Sequence, residues 1–279
     1  MMKNTKKFFL YGLVLLICVF SVFPFLWMVS TSLKPPTEIY QYPPELVSSH
    51  LTIEGYQTIL KSDSGSFNFM RWIANSLIVS VVSTVFSIVV AAMGAYSLSR
   101  YRFAGRGGLM YTIMITQMMP ASLLVIPLYI IMMQLKLLDS MFGLTLAYIA
   151  FTVPYCTWSL KGYFDTIPTA LDEAARIDGC SPLKAFSRVV LPLATPGLVS
   201  TSIFAFVTCW NEFMFASVFM KNYDNWTIPV GLTTFKGQYA TNWNGIMAGG
   251  VIITVPVVII FLLMQKYLIA GMTAGAVKQ

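Results

Sequence analysis

Long uncharged runs separated by short polar segments set the pattern of the chain. No Asp, Glu, Lys or Arg occurs within Phe8–Leu33, Ile73–Ser99, Leu109–Leu135, Ser140–Leu160 or Gly237–Gln265. A sixth run, from Val189 to Met220, is interrupted by one charge, Glu212. Each run can supply the ~20 residues needed to cross a bilayer core. The pattern therefore predicts an all-α integral membrane protein with six transmembrane helices in a single domain, residues 1–279. The approximate spans are 8–31, 73–99, 109–133, 141–160, 196–220 and 246–268.

Composition agrees with that reading. The chain is 57% hydrophobic and only 10% charged, with a mean hydropathy of +0.71. Soluble domains carry roughly a quarter charged residues. The first apolar run is too long for a signal-peptide core and is followed by no small-residue cleavage site, so it reads as an uncleaved span with Pro24 as a tolerated kink. Between Lys34 and Arg71 lies a polar loop in which LTIEGYQTIL predicts a short helix with a threonine cap.

Charge placement gives an orientation. With the N-terminus inside, twelve of the 18 lysines and arginines fall in inner segments: Lys3, Lys6, Lys7, Arg100, Arg102, Arg106, Lys161, Arg176, Lys184, Arg188, Lys266 and Lys278. The other six, Lys34, Lys61, Arg71, Lys136, Lys221 and Lys236, fall outside. This bias predicts that both termini are cytoplasmic. The net charge of +7 is thus accounted for by topology, with no basic patch interleaved with aromatics to suggest nucleic acid.

The segment from Asp165 to Pro192, DTIPTALDEAARIDGCSPLKAFSRVVLP, breaks the apolar pattern. Thr169 can cap a helix, with Asp172 in the position of a capping-box partner. Leu171, Ala174 and Ala175 share one face, and Asp172 can pair with Arg176 at i,i+4. Gly179 is a left-handed stop, and Ser181-Pro182 restarts a helix as cap and first residue. Two short helices joined at a glycine form a rigid feature for a partner to grip.

These residues carry a resemblance. Glu173-Ala174-Ala175, three residues, Gly179, nine residues, Val189, one residue and Leu191-Pro192 resemble the EAA loop of ATP-binding-cassette (ABC) importer permeases. Ala95–Phe103 and Gln265–Lys278 resemble the second-span exit and the C-terminal tail of the carbohydrate subfamily. Over most of its length the chain is similar to the six-span maltose-type (MalG-like) permeases of binding-protein-dependent importers. The resemblance implies a type I importer bundle in a bacterial cytoplasmic membrane, inner or plasma, in which this chain pairs with a second permease subunit. It implies a cytosolic ABC ATPase dimer as a further partner, with ATP and Mg bound there and no cofactor in this chain. An extracytoplasmic sugar-binding protein would deliver a sugar or oligosaccharide.

By the same resemblance, the helix Thr169–Asp178 docks on the ATPase. Glu173 would anchor it, Ala174 and Ala175 would give a flat contact face, and Gly179 would make the turn. Leu171, Asp178 and Pro192 belong to the same coupling loop (residues 165–192).

Within the spans, Glu212 is the only ionisable side chain, in Cys209-Trp210-Asn211-Glu212-Phe213. An intramembrane carboxylate marks a function by default. Trp210 could stack on a polyhydroxyl ligand while Asn211 and Glu212 hydrogen-bond it. A polar anchor at the outer interface and a contact to a second subunit remain open for the same residues. The Trp-Asn-Glu-Phe run resembles the fifth span of carbohydrate-importer permeases.

No enzyme constellation is present in the sequence. The single histidine, His50, has no nearby partner, and Cys18, Cys156, Cys180 and Cys209 show no metal spacing. No GxxxxGK[ST] phosphate loop occurs, so any ATP hydrolysis belongs to another subunit. An ATP-independent secondary transporter or channel is the alternative, but it would need more intramembrane charges than Glu212 alone. A membrane scaffold or receptor would show no dependence on Glu212 or the loop.

Overall fold

The computed structural model describes residues 2–60, 68–237 and 241–274, with side chains described for 7–60, 68–237 and 241–266. Lys61, Asp63 and Lys278, and with the last the end of the C-terminal segment, lie outside the described residues. From the N-terminus the helices are α1 (Met2–Ser32), α2 (Pro36–Ile39), α3 (Glu54–Leu60), α4 (Phe69–Arg100), α5 (Arg106–Met118), α6 (Ala121–Gln134) and α7 (Met141–Thr166). There follow α8 (Ala170–Ile177), α9 (Pro182–Ala185), α10 (Leu191–Leu193), α11 (Thr195–Trp210), α12 (Met214–Phe219), α13 (Ile228–Gly231) and α14 (Trp243–Ala274). The only β pairing among the described residues is an isolated bridge between Lys236 and Thr241.

Among the described residues five stretches are long and apolar enough to cross a membrane: Lys7–Ser32, Phe69–Arg100, Met141–Thr166, Thr195–Phe219 and Trp243–Lys266. The apolar run Leu109–Leu135, expected as one span, is two helices. α5 and α6 meet at an angle of 100°. Pro120 lies at the corner with ψ 129°, outside the helical region, and opens α6 from its N-cap position. Lacking an N–H, it cannot carry the ladder of α5 onward, and the chain restarts in a new direction.

The chain forms two units, one made of residues 1–69 and 232–256 and the other of 70–231 and 257–279. In the first, α1 is apolar on every side, and its most apolar 18-residue window buries none of its residues within the chain, burial beginning only at Thr31 and Ser32 at its end. Such a helix requires lipid or another subunit around it. The expected threonine cap is present: the Thr52 hydroxyl accepts from the Glu54 N–H (3.1 Å) and starts α3. Gly55 lets α3 lie close to the start of α14, since a Cβ there would come 2.6 Å from the Asn244 carbonyl oxygen.

In the second unit α4 and α7 share a seam of small and hydroxylated side chains. The Ser87 and Thr152 hydroxyls are 2.7 Å apart, and the Ser83 hydroxyl donates to the Thr145 carbonyl at 3.3 Å. Ala91, Ala92 and Ala95 continue the seam into a core with Cys156, Leu160 and Phe164. Small side chains bring backbones close, and hydroxyls satisfy one another away from water, which is how helices associate in lipid. A second core gathers Tyr148, Cys209, Phe215 and Phe219 where α7 meets α11 and α12. The first core sits under the loop from Asp165 to Pro192 and the second under Glu212.

Candidate functional site: the loop helix and the broken fifth span

Two polar features interrupt the apolar second unit. The first is α8 with its supports. Asp172 and Ala175 are buried on one side of α8, while Leu171, Glu173, Ala174, Ile177 and Asp178 are exposed. The Asp172 carboxylate points inward. Its Oδ2 lies 2.7 Å from Nε of Arg100, the last residue of α4, and its Oδ1 accepts from the Tyr96 hydroxyl at 2.7 Å. Both members of the ion pair are under a tenth exposed.

Arg100 uses its remaining donors to tie down the end of α7. Its terminal nitrogens donate to the carbonyls of Phe164 (3.0 Å) and Ile167 (2.9 Å). Next to it the Ser99 hydroxyl donates to Asp165 (2.7 Å), which also takes Lys161. Tyr96 is packed between Phe186 (ring centroids 4.6 Å) and Phe164 (6.0 Å). One buried guanidinium therefore joins α4, α7 and α8. Taking two charges out of water is unfavourable unless hydrogen bonds fill their remaining sites. Here the Arg100 terminal nitrogens and Asp172 Oδ1 have partners, while Nε and Oδ2 meet each other as an ion pair alone.

This geometry corrects two local expectations. The Thr169 side chain caps nothing, and Asp172 does not pair with Arg176. Asp172 bonds to Arg100 and Tyr96 instead, and Arg176 reaches the Tyr101 hydroxyl at 3.4 Å. A third correction concerns the contact face. Ala175 lies inside with Asp172, so of the two alanines only Ala174 faces outward.

The turns match the residues that make them. Gly179 has φ +83°, the left-handed region that suits glycine. Ser181 accepts from the Lys184 N–H (3.4 Å) with Pro182 in the first turn of α9. Residues Phe186–Val190 form a π-helical turn in which the Leu191 N–H reaches the Phe186 carbonyl. Pro192 has no N–H to continue a regular ladder there, and it stands exposed at the start of α10.

Ile177 lies outside the residues that the motif marks. It is 86% exposed at the end of α8, with Leu183 67% exposed on the start of α9. Two bare aliphatic side chains flank the Gly179 turn, beside Glu173 and Ala174. The available signal was the position of Ile177 opposite Asp172 and Ala175 on the helical wheel.

The second feature is the gap between α11 and α12. Glu212 is half-buried, and three donors fill its carboxylate: the Tyr148 hydroxyl (2.8 Å), the Phe215 N–H (2.8 Å) and the Ala216 N–H (3.1 Å). The last two are orphan donors of the first turn of α12, so Glu212 caps the helix that resumes the span. Trp210 is 1% exposed, with its ring stacked on Phe206. The stacking face expected for a ligand is therefore filled by Phe206. Asn211 is exposed and donates to the Val207 carbonyl (3.0 Å). Trp210 is part of the packing, Glu212 holds the break, and Asn211 is the member of the three that is turned out. Tyr148 had no mark in the sequence, because its partner lies 64 residues away.

Five stretches of membrane length, a sixth apolar run bent at Pro120 and a clamped loop helix with an exposed face define an all-α integral membrane bundle among the described residues. Residues 83–274 match the family described as "Binding-protein-dependent transport system inner membrane component", and the chain belongs to that family. It is 38% identical over 257 residues to the diacetylchitobiose uptake system permease protein DasC of Streptomyces coelicolor, covering 92% of each chain. It is 35% identical over 265 residues to the trehalose/maltose transport system permease protein MalG of Thermococcus litoralis, covering 95% of this chain and 94% of that one. A solved bacterial ABC transporter chain involved in alginate import has the same fold (TM-score 0.81, 24% identity, 95% and 98% of the two chains covered). The protein is thus a non-catalytic permease subunit of an ABC importer and an integral membrane protein.

Proposed function

We propose that this permease subunit serves the import of a sugar or oligosaccharide across a bacterial cytoplasmic membrane, and that α8 is its coupling helix to a cytosolic ATPase. The names of the relatives support the substrate class: diacetylchitobiose, trehalose and maltose are what those proteins are said to carry. The observation that carries the coupling role is the clamp. α8 is fixed from behind by Asp172, Arg100 and Tyr96, and it presents Glu173, Ala174 and Ile177 outward. A helix that transmits force must be rigidly joined to the spans it moves and open on its other face.

In this reading the chain pairs with a second permease subunit, and an extracytoplasmic binding protein delivers the sugar. Both termini face the cytoplasm, as the lysine and arginine bias suggests. Two copies of the ATPase bind ATP and Mg, and their closure pushes on α8. The Arg100 clamp passes that displacement to the ends of α4 and α7 together. The spans then shift between two packings, with the differential energy supplied by nucleotide at the partner. Leu171, Asp178 and Gly179 complete the outward surface, and Pro192 ends the loop where the fifth span begins.

Uptake of radiolabelled disaccharides by cells carrying Gly179→Pro tests this. Uptake should fall to background while the chain remains in the membrane fraction. Uptake at the wild-type rate would remove the coupling role from the loop.

A further inference from the structure

The first unit contains a cleft of its own. The last turn of α1, the α2 segment and the start of α14 enclose a cavity of about 300 Å³ lined by Trp27, Thr31, Lys34, Glu38, Tyr40 and Trp243. A second cavity of about 240 Å³, lined by Glu54, Thr58, Asn242 and Asn244, adjoins it. The two share Ile39, Tyr40 and Trp243 as a common wall.

Two observations mark the first cavity as built for a ligand. Thr31 is 6% exposed, and its hydroxyl has no hydrogen-bond partner among the described residues. Buried hydroxyls are rarely left so, and each that is calls for an explanation. Lys34 is 4% exposed, yet no carboxylate lies within ion-pair distance of its ammonium among the described residues. Its neighbours are the Glu45 carbonyl and the Trp27 ring, 4.9 Å from the ammonium. An ammonium has three donors, and burial is unfavourable while any is unused. Glu38, which also lines the cavity, accepts from the Ser48 hydroxyl.

The chemistry of the lining selects the ligand. One ammonium and one carboxylate leave the first cavity without a net charge, which suits a neutral molecule over an anion or a cation. Tyr40 and Trp243 offer aromatic faces, and Thr31, Lys34, Glu38, Glu54 and Asn242 offer donors and acceptors around them. A pyranose has an apolar C–H face and a rim of hydroxyls that act as both donor and acceptor. Pockets that bind small molecules combine apolar walls with a few convergent polar groups in this way.

We propose that these adjoining cavities form a binding cleft for a neutral saccharide of at least two rings, distinct from the Trp210–Glu212 break. Lys34, Glu38 and Thr31 bond one ring, Glu54 and Asn242 bond the next, and Tyr40 and Trp243 stack between them. The inference rests on the sugar-import reading, and with both termini inside, the cleft opens on the outer side, where substrate arrives.

Photoaffinity labelling of the full chain, purified in nanodiscs with whatever subunits accompany it, tests the cleft. The probes are diazirine derivatives of maltose, trehalose and diacetylchitobiose, and labelled peptides are mapped. At least one probe should label the segments around Tyr40 and Trp243. Labelling there should drop by about tenfold in Trp243→Ala and Lys34→Met, the scale of losing one good contact. Tyr40→Ala guards against misfolding, since Tyr40 is exposed, and should act alike; Tyr42→Ala, outside the cleft, should change nothing. Labelling confined to other segments, or unchanged by these variants, would overturn the cleft. Parallel uptake of the same three sugars separates the readings: uptake without cleft labelling removes only the cleft, and absence of both removes the sugar-import reading with it.

Discussion

The ion pair of Asp172 with Arg100 is buried, with each side chain under a tenth exposed. Removing one member of such a pair costs about 3–5 kcal/mol, because the other is left charged and buried. Asp172→Ala and Arg100→Ala should therefore each lower thermal stability strongly. The double variant Asp172→Leu/Arg100→Met should recover much of the loss, a coupling that a double-mutant cycle in detergent measures. Arg176, the opposite charge nearest to Asp172 along the sequence, would have given an exposed pair worth only about 0.3–0.5 kcal/mol. Glu212 makes a parallel case. Glu212→Ala leaves two N–H groups and a hydroxyl without an acceptor and should cost about 1–3 kcal/mol for each group left buried. Glu212→Gln keeps one acceptor oxygen and should lose less, so unfolding of the two variants separates a capping role from a purely charge-based one.

Helices and turns were legible wherever the cause was local. Gly179 and Ser181-Pro182 carry their conformations in their own covalent structure, and the structure has the left-handed turn and the serine cap at those positions. Gly179→Ala should cost about 1–2 kcal/mol, the strain of a left-handed L-residue, while keeping part of the transport activity. Uptake and thermal unfolding of that variant, measured together, check both halves of the expectation. The failures arose where a distant partner competes. Thr169 and Asp172 could have made a capping box, but the Arg100 and Tyr96 side chains, 72 and 76 residues away, offer Asp172 stronger bonds. Likewise the third apolar run reads as one span because no charge interrupts it, whereas the chain turns by 100° at Pro120. Apolar periodicity says that a segment is buried in something and does not distinguish lipid from protein. That is why Trp210, read as a stacking surface, is core.

As a whole, the permease presents two kinds of surface. Apolar helices such as α1 present one, and the loop around Gly179 offers the other, a small mixed face of Glu173, Ala174, Ile177 and Leu183. An exposed aliphatic side chain that becomes buried at an interface contributes by the apolar area it removes from water, about 1.5–3 kcal/mol for a full side chain. Ile177 is nearly bare, so changing it leaves the fold of this chain intact and should weaken only the association. The direct measurement is quantitative mass spectrometry of the subunits that co-purify with the tagged chain in mild detergent, comparing wild type with Ile177→Asp. An ABC ATPase and a second permease chain should accompany the wild type, and the variant should lose the ATPase while keeping the second permease. An ATPase that stays bound in full to Ile177→Asp, or that never accompanies the wild-type chain, would contradict the assignment of α8 as the coupling helix.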